Sequence, residues 1–220
     1  MKKLLYLLLV TAFLSCNNER VLELPKIESA EITEVLDVSH AYIFYDETQP
    51  DSTLFNRKNL IGTTNWLVNV DKRLTLKQAI PHIQYLQDKR KKASMHKNEA
   101  AKNYFTCNDT SIKNLGFVEF TEIVYLNDDE SVEDNTNELC HLIVHNMNEI
   151  QIISLNNIIY EADQQDLKEV LFNAYKNDDG LKNLLLIFSE DLSFQDYIRL
   201  KSLLIPFKEN TSNYELVFQP

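Results

Sequence analysis

The sequence predicts an α+β protein of two small β-β-α-β-α-β-like domains, the first a divergent and incomplete copy of the second. Three observations carry this. Through residues 139–220, short apolar runs rich in β-branched side chains alternate with stretches whose apolar residues recur at helical spacing. The acidic segment 127–138 has too few large apolar side chains to pack into a core, so it reads as a linker between folded parts. On both sides of it, strand, capping hydroxyl and helix recur in the same order.

The chain opens with Lys2 and Lys3, an apolar run from Leu4 to Leu14, and Ser15 before Cys16. Crossing a ~30 Å hydrocarbon core takes roughly 20 apolar residues. Here the polar stretch Asn17-Asn18-Glu19-Arg20 follows too soon, so residues 1–15 read as a signal peptide. A small residue directly before a cysteine resembles the lipoprotein signals of bacteria, although Phe13 stands where leucine is usual. That resemblance implies lipidation of Cys16 and a mature chain held at a membrane surface outside the cytoplasm. Ordinary secretion is the alternative. Residues 16–36 then read as a lipid-proximal tether, with a helical turn open to the residues before Leu36.

In the first domain, 37–126, strands are expected at His40-Ala41-Tyr42-Ile43, at Trp66 to Val70 and at Glu122-Ile123-Val124-Tyr125. A helix is expected from Leu76, with Thr75 ahead of it. In the second domain, 139–220, Leu142-Ile143-Val144 and Ile150-Gln151-Ile152-Ile153 read as two strands around a polar turn. A helix follows Asp163 and Asp166, with Leu167, Val170, Leu171, Ala174 and Tyr175 on one face, and Asp178-Asp179-Gly180 ends it. Leu184 to Phe188 is an unbroken apolar run, as in a strand buried on both faces. Ser193 caps a second helix carrying Phe194, Tyr197 and Ile198, and Tyr214 to Phe218 closes the chain as a strand. Trp66–Ile80 can be laid on Leu184–Ile198 without a gap, so that Leu74 meets Leu192 and Thr75 meets Ser193.

Composition narrows the function. With 44% hydrophobic residues, 11 Phe and 10 Tyr, the chain has ample material for a core. A formal charge of −11 argues against nucleic acid as a partner. The only glycines are Gly62, Gly116 and Gly180, and no glycine-rich phosphate loop can be written on them. Beyond Cys16, Cys107 and Cys140 leave two states open, a disulfide between the halves or two buried free thiols.

No residue pattern names a reaction. His141 and His145 share one side of a strand, but no further ligand stands at metal spacing. Asp71 and the pair Glu190-Asp191 sit at strand-to-helix turns, where carboxylates favour the helix start. Lys89-Arg90-Lys91-Lys92, continued by Lys97 and flanked by His82 and His96, reads as a solvated helix end. Trp66 reads as core, and an aromatic partner patch is open within 98–120. No catalytic residue, metal site or cofactor is assigned.

Ile150 to Asn157, Asp166 to Leu171 and Leu184 to Tyr197 together resemble the periplasmic domain of the ExbD/TolR family of envelope energy-transduction proteins. The likeness covers mainly residues 139–220. It implies an α+β module that pairs with itself or with envelope partners, and peptidoglycan binding as in the TolR branch. The family's transmembrane aspartate has no counterpart here, because no acidic residue precedes Glu19. The expectation is therefore a lipid-anchored, non-enzymatic binding or scaffold protein of the bacterial cell envelope, facing the periplasm or the cell exterior. It would bind the membrane through Cys16, and a protein partner or its own copy through strand edges. Its wider role would be as an accessory of an envelope energy-transduction or transport system. An envelope hydrolase using carboxylates with His141 and His145, and a peptidoglycan-binding lipoprotein, are the alternatives.

Overall fold

A computed structural model describes residues 20–92, 98–127 and 139–220. The signal peptide, Cys16, His96, Lys97 and linker residues 128–138 lie outside the described residues.

The described chain is a mixed α/β structure with two six-stranded sheets. The first contains β1 (Lys26–Ile27), β2 (Val38–Tyr45), β3 (Thr53–Asn56), β4 (Asn65–Val70), β5 (Asn103–Asp109) and β6 (Asn114–Glu119). Its order is β1-β5-β4-β2-β3, with β6 also paired to β5. Strands β2, β4 and β5 run parallel, while β3 and β6 fold back antiparallel. Along β2 the pleat turns Ser39, Ala41 and Ile43 inward. Helix α1 (Leu76–Lys91) buries Leu76, Ala79, Ile80, Ile83 and Leu86.

The second sheet joins β7 (Val124–Asn127), β8 (Cys140–Asn146), β9 (Glu149–Ile153), β10 (Ile159–Ala162), β11 (Leu184–Ser189) and β12 (Thr211–Phe218). The order is β10-β9-β8-β11-β12-β7. Helices α2 (Leu167–Asn177) and α3 (Phe194–Leu203) and a 3-10 turn (Ile205–Asn210) complete this half. The apolar run of β11 lies between two parallel neighbours, as its lack of alternation requires.

Three features differ from the sequence reading. The strand expected to close the first domain, around Val124 and Tyr125, crosses over and pairs parallel with β12. Its place in the first sheet is taken by β5, whose Tyr104, Phe105, Thr106 and Cys107 are all buried. Further strands absent from the sequence reading are β3 on β2, β6 on β5 and β10 on β9. Part of the expected tether is not free. From Glu23 to Ile32 the backbone is bonded into the fold, and no helix forms between Arg20 and Leu36.

The halves meet through reciprocal main-chain bonds. Leu76 donates to the Leu192 carbonyl (2.9 Å) and Phe194 donates to the Leu74 carbonyl (2.7 Å). One step outward, Lys77 donates to Glu190 (2.9 Å) and Gln195 to Lys72 (3.2 Å). Thr75 and Ser193, the two helix N-caps, form an antiparallel bridge at the centre. A helix start has unsatisfied N–H groups, and here each half satisfies those of the other. Aromatic packing continues the seam, with Phe105 stacked on Phe120 at 3.8 Å and edge-on to Phe194 at 5.2 Å. One hydrophobic cluster accordingly contains residues of both halves.

Candidate functional site at the junction of the halves

A cavity of about 380 Å³ opens between the two halves. Ile32, Phe117 and Ile123 line it from the first half, and Leu186, Leu204 and Ile205 from the second. Lys102 and Glu119 stand on its wall as an ion pair at 2.9 Å. Lys201 reaches the cavity from α3.

Behind Lys201 lies a buried polar chain that the sequence reading missed. Glu215 sits on the inward parity of β12 beside Val217 and is fully buried. Lys201 forms an ion pair with its carboxylate. The Tyr197 hydroxyl donates to the other carboxylate oxygen at 2.8 Å. That uses the only proton on Tyr197, so the Tyr125 hydroxyl, 3.0 Å away, donates to Tyr197. Burial pushes both tyrosines well above the ordinary phenol range, and the nearby Glu215 charge adds to the shift. Both phenols therefore stay protonated and hold the carboxylate in place. Because Tyr125 comes from β7, this chain also fixes the strand that crosses over from the first half.

A second buried carboxylate, Asp71, directly follows β4. Burial pushes its carboxyl up, but bonds from the Arg73 side chain and from the Arg73 and Glu23 amides outweigh this and hold it below the usual range. The Arg73 guanidinium bonds both oxygens, at 2.8 and 2.7 Å, and lies 4.8 Å from the Tyr45 ring. At the matching turn of the second half, the Ser189 hydroxyl accepts the Asp191 amide at 3.3 Å, as Asp71 accepts that of Arg73. Asp71 thus fastens a turn. Glu190 is likewise engaged, with Lys77 at 2.7 Å.

The other singled-out residues are dispersed. Cys107 lies in the first sheet and Cys140 in the second, both buried and free, so the disulfide left open by the sequence does not form here. Cys140 is held instead by the Gly180 carbonyl and the Lys182 amide. His141 and His145 share a face of β8, as expected, but neither lines the cavity, and His145 meets the edge of Phe218. Among the described residues no three His, Cys, Asp or Glu side chains gather as a metal site.

Part of the basic run departs from a solvated helix end. Arg90 is half-buried, bonds Asn103 at 2.7 Å and stacks 3.9 Å from the Trp66 ring. His82 packs on Phe55, and burial lowers its pKa. Within 98–120, Tyr104, Phe105, Phe117 and Phe120 are core residues, not an exposed partner patch. No described helix is long and apolar enough to cross a membrane. Comparison with protein-family models, with curated proteins and with solved structures gave no match.

Proposed function

We propose that this chain is a lipid-anchored, non-enzymatic binding or scaffold protein of the bacterial cell envelope. The observation that carries the reading is the open junction cavity, beside which the buried carboxylate, Glu215, is tied to Lys201 and Tyr197. Such a seam offers shape and apolar surface to a partner rather than a poised acid or base. The apolar run Leu4–Leu14, followed by Ser15 and Cys16, supplies the address. The likeness of residues 139–220 to the ExbD/TolR periplasmic module suggests the setting, an accessory of an envelope energy-transduction or transport system. We also read the two halves as descendants of one repeated unit. In support, the reciprocal bonds of Leu74, Leu76, Leu192 and Phe194 follow the same gapless alignment as the sequence match.

Crosslinking in intact cells, followed by pull-down, tests this, with Cys16→Ala as control. Recovery of membrane proteins that depends on Cys16 supports the proposal. Recovery of wall fragments would redirect it to peptidoglycan, and recovery unaffected by Cys16→Ala would remove the anchor from the account.

A further inference from the structure

We infer that residues 23–32 are a strap that keeps the lipid anchor short and turns one end of the first sheet toward the bilayer. The inference rests on lipidation of Cys16. Along the strap, the Glu23 amide donates to Asp71 at 3.2 Å and its carbonyl accepts from Lys72 at 2.8 Å. The Pro25 carbonyl accepts from Asn108 at 2.8 Å, and β1 wedges beside β5 where the pairing of β4 with β5 has ended. Lys26 exchanges two bonds with the Gln195 side chain, at 2.8 and 2.9 Å, which ties the strap to the second half. Ala30 donates to Asp109 at 2.7 Å, and the Ile32 carbonyl accepts from Phe117 at 2.9 Å.

From Cys16 to Glu23, the first described residue bonded through its main chain, the chain can reach no further than about 25 Å, at ~3.3–3.6 Å per residue. A body of this size measures about 40–45 Å across, so the tether is shorter than the domain pair it holds. Glu23 is bonded at Asp71, just past the C-terminal end of β4. Strands β2 and β5 run parallel to β4, so their C-terminal ends lie at that same end. That end faces the bilayer, and the strand starts at Val38, Asn65 and Asn103 face away. The ionic groups there are mostly paired with one another, Glu23 with Lys72 and Asp71 with Arg73. Covalent reach, rather than attraction to headgroups, therefore sets the orientation. Any partner of the cavity must then come within one domain length of the same membrane.

The test uses the full lipidated chain in phosphatidylcholine vesicles carrying a headgroup acceptor dye, with a donor on Pro50→Cys or Gly62→Cys. Pro50 is exposed in the turn after β2, at the near end. Gly62 lies before β4, at the far end, and a Cβ there meets nothing within 4 Å. Cys107 and Cys140 are buried and do not compete for label. Energy transfer from position 50 should exceed that from position 62 at least about twofold, because a strand length of roughly 25 Å separates them in height. Equal or reversed transfer overturns the inference. A separate arm measures hydrogen exchange of the Lys26, Ala30, Asn108 and Phe117 amides in soluble Cys16→Ala protein. Protection is expected, and free exchange there overturns the strap whatever the lipid does. Protection combined with a lipid-free Cys16 by mass would instead overturn the anchor on which the orientation depends.

Discussion

Replacing Lys201 by Met tests how the second half is held together and how it is joined to the first. The substitution keeps most of the stem volume and deletes the charge. Glu215 would then keep its full burial with only the Tyr197 hydroxyl as a side-chain partner. Breaking a buried ion pair from one side costs about 3–5 kcal/mol. The Lys201 side chain is 15% exposed, which places the expected loss at the lower end, about 3 kcal/mol. For a chain of this length that corresponds to a fall in Tm of roughly 6–12 °C. Urea unfolding followed by both far-UV circular dichroism and Trp66 fluorescence is the assay. Trp66 is the only tryptophan and belongs to the first half, so it reports whether damage in the second half is felt across the seam. Both signals should shift together, and the double variant Lys201→Met with Glu215→Leu should recover most of the loss. A loss under about 1 kcal/mol would refute the buried pair as a structural tie. A shift in dichroism that leaves the Trp66 transition unmoved would refute the single cooperative core.

Three other outcomes are expected. Asp71→Asn should cost about 2–4 kcal/mol, because Arg73 and the Glu23 amide lose a buried charged acceptor. The folded Asp71 pKa lies below its unfolded value of about 3.9, so its contribution is present above that pH and lost as pH falls through the folded value. Thermal melts between neutral and strongly acid pH should then show a shallower acid limb in the variant, and an unchanged limb would contradict the assignment. Thr75→Ala and Ser193→Ala should each cost about 1 kcal/mol, and the pair should depart from additivity because the two caps bridge one another. Strict additivity in a double-mutant cycle would contradict side-chain contact across that main-chain bridge. Burial pushes the Cys107 thiol up and seals it, and Cys140 is buried too, so neither should react with a maleimide until the chain unfolds. Failure to react in urea without reductant would reveal a disulfide.

What could be read from the sequence was whatever depends on local pattern. The run Leu184–Phe188 and the cap Ser193 gave β11 and α3, and Trp66–Val70 with Thr75 gave β4 and α1, because burial and capping leave marks in neighbouring residues. Strand partnership leaves no such mark. The strand around Tyr125 was visible as a strand, but its pairing with β12 depends on side chains from α3 and β12, far along the chain. The strap escaped notice because most of its bonds are made by backbone groups, which no side-chain pattern encodes. Glu215 was hidden within Tyr214–Phe218, since a buried acid is recognisable only once Lys201 and Tyr197 stand opposite it. Arg90 was similarly lost among its lysine neighbours until Trp66 and Asn103 supplied its partners.

The most direct test is the intact mass of the chain recovered from the membrane fraction of cells. The account predicts a polypeptide that begins at Cys16 and carries covalent lipid on it, with residues 1–15 gone. A chain that retains residues 1–15, or one that begins near Cys16 without lipid and fractionates as soluble protein, would contradict it.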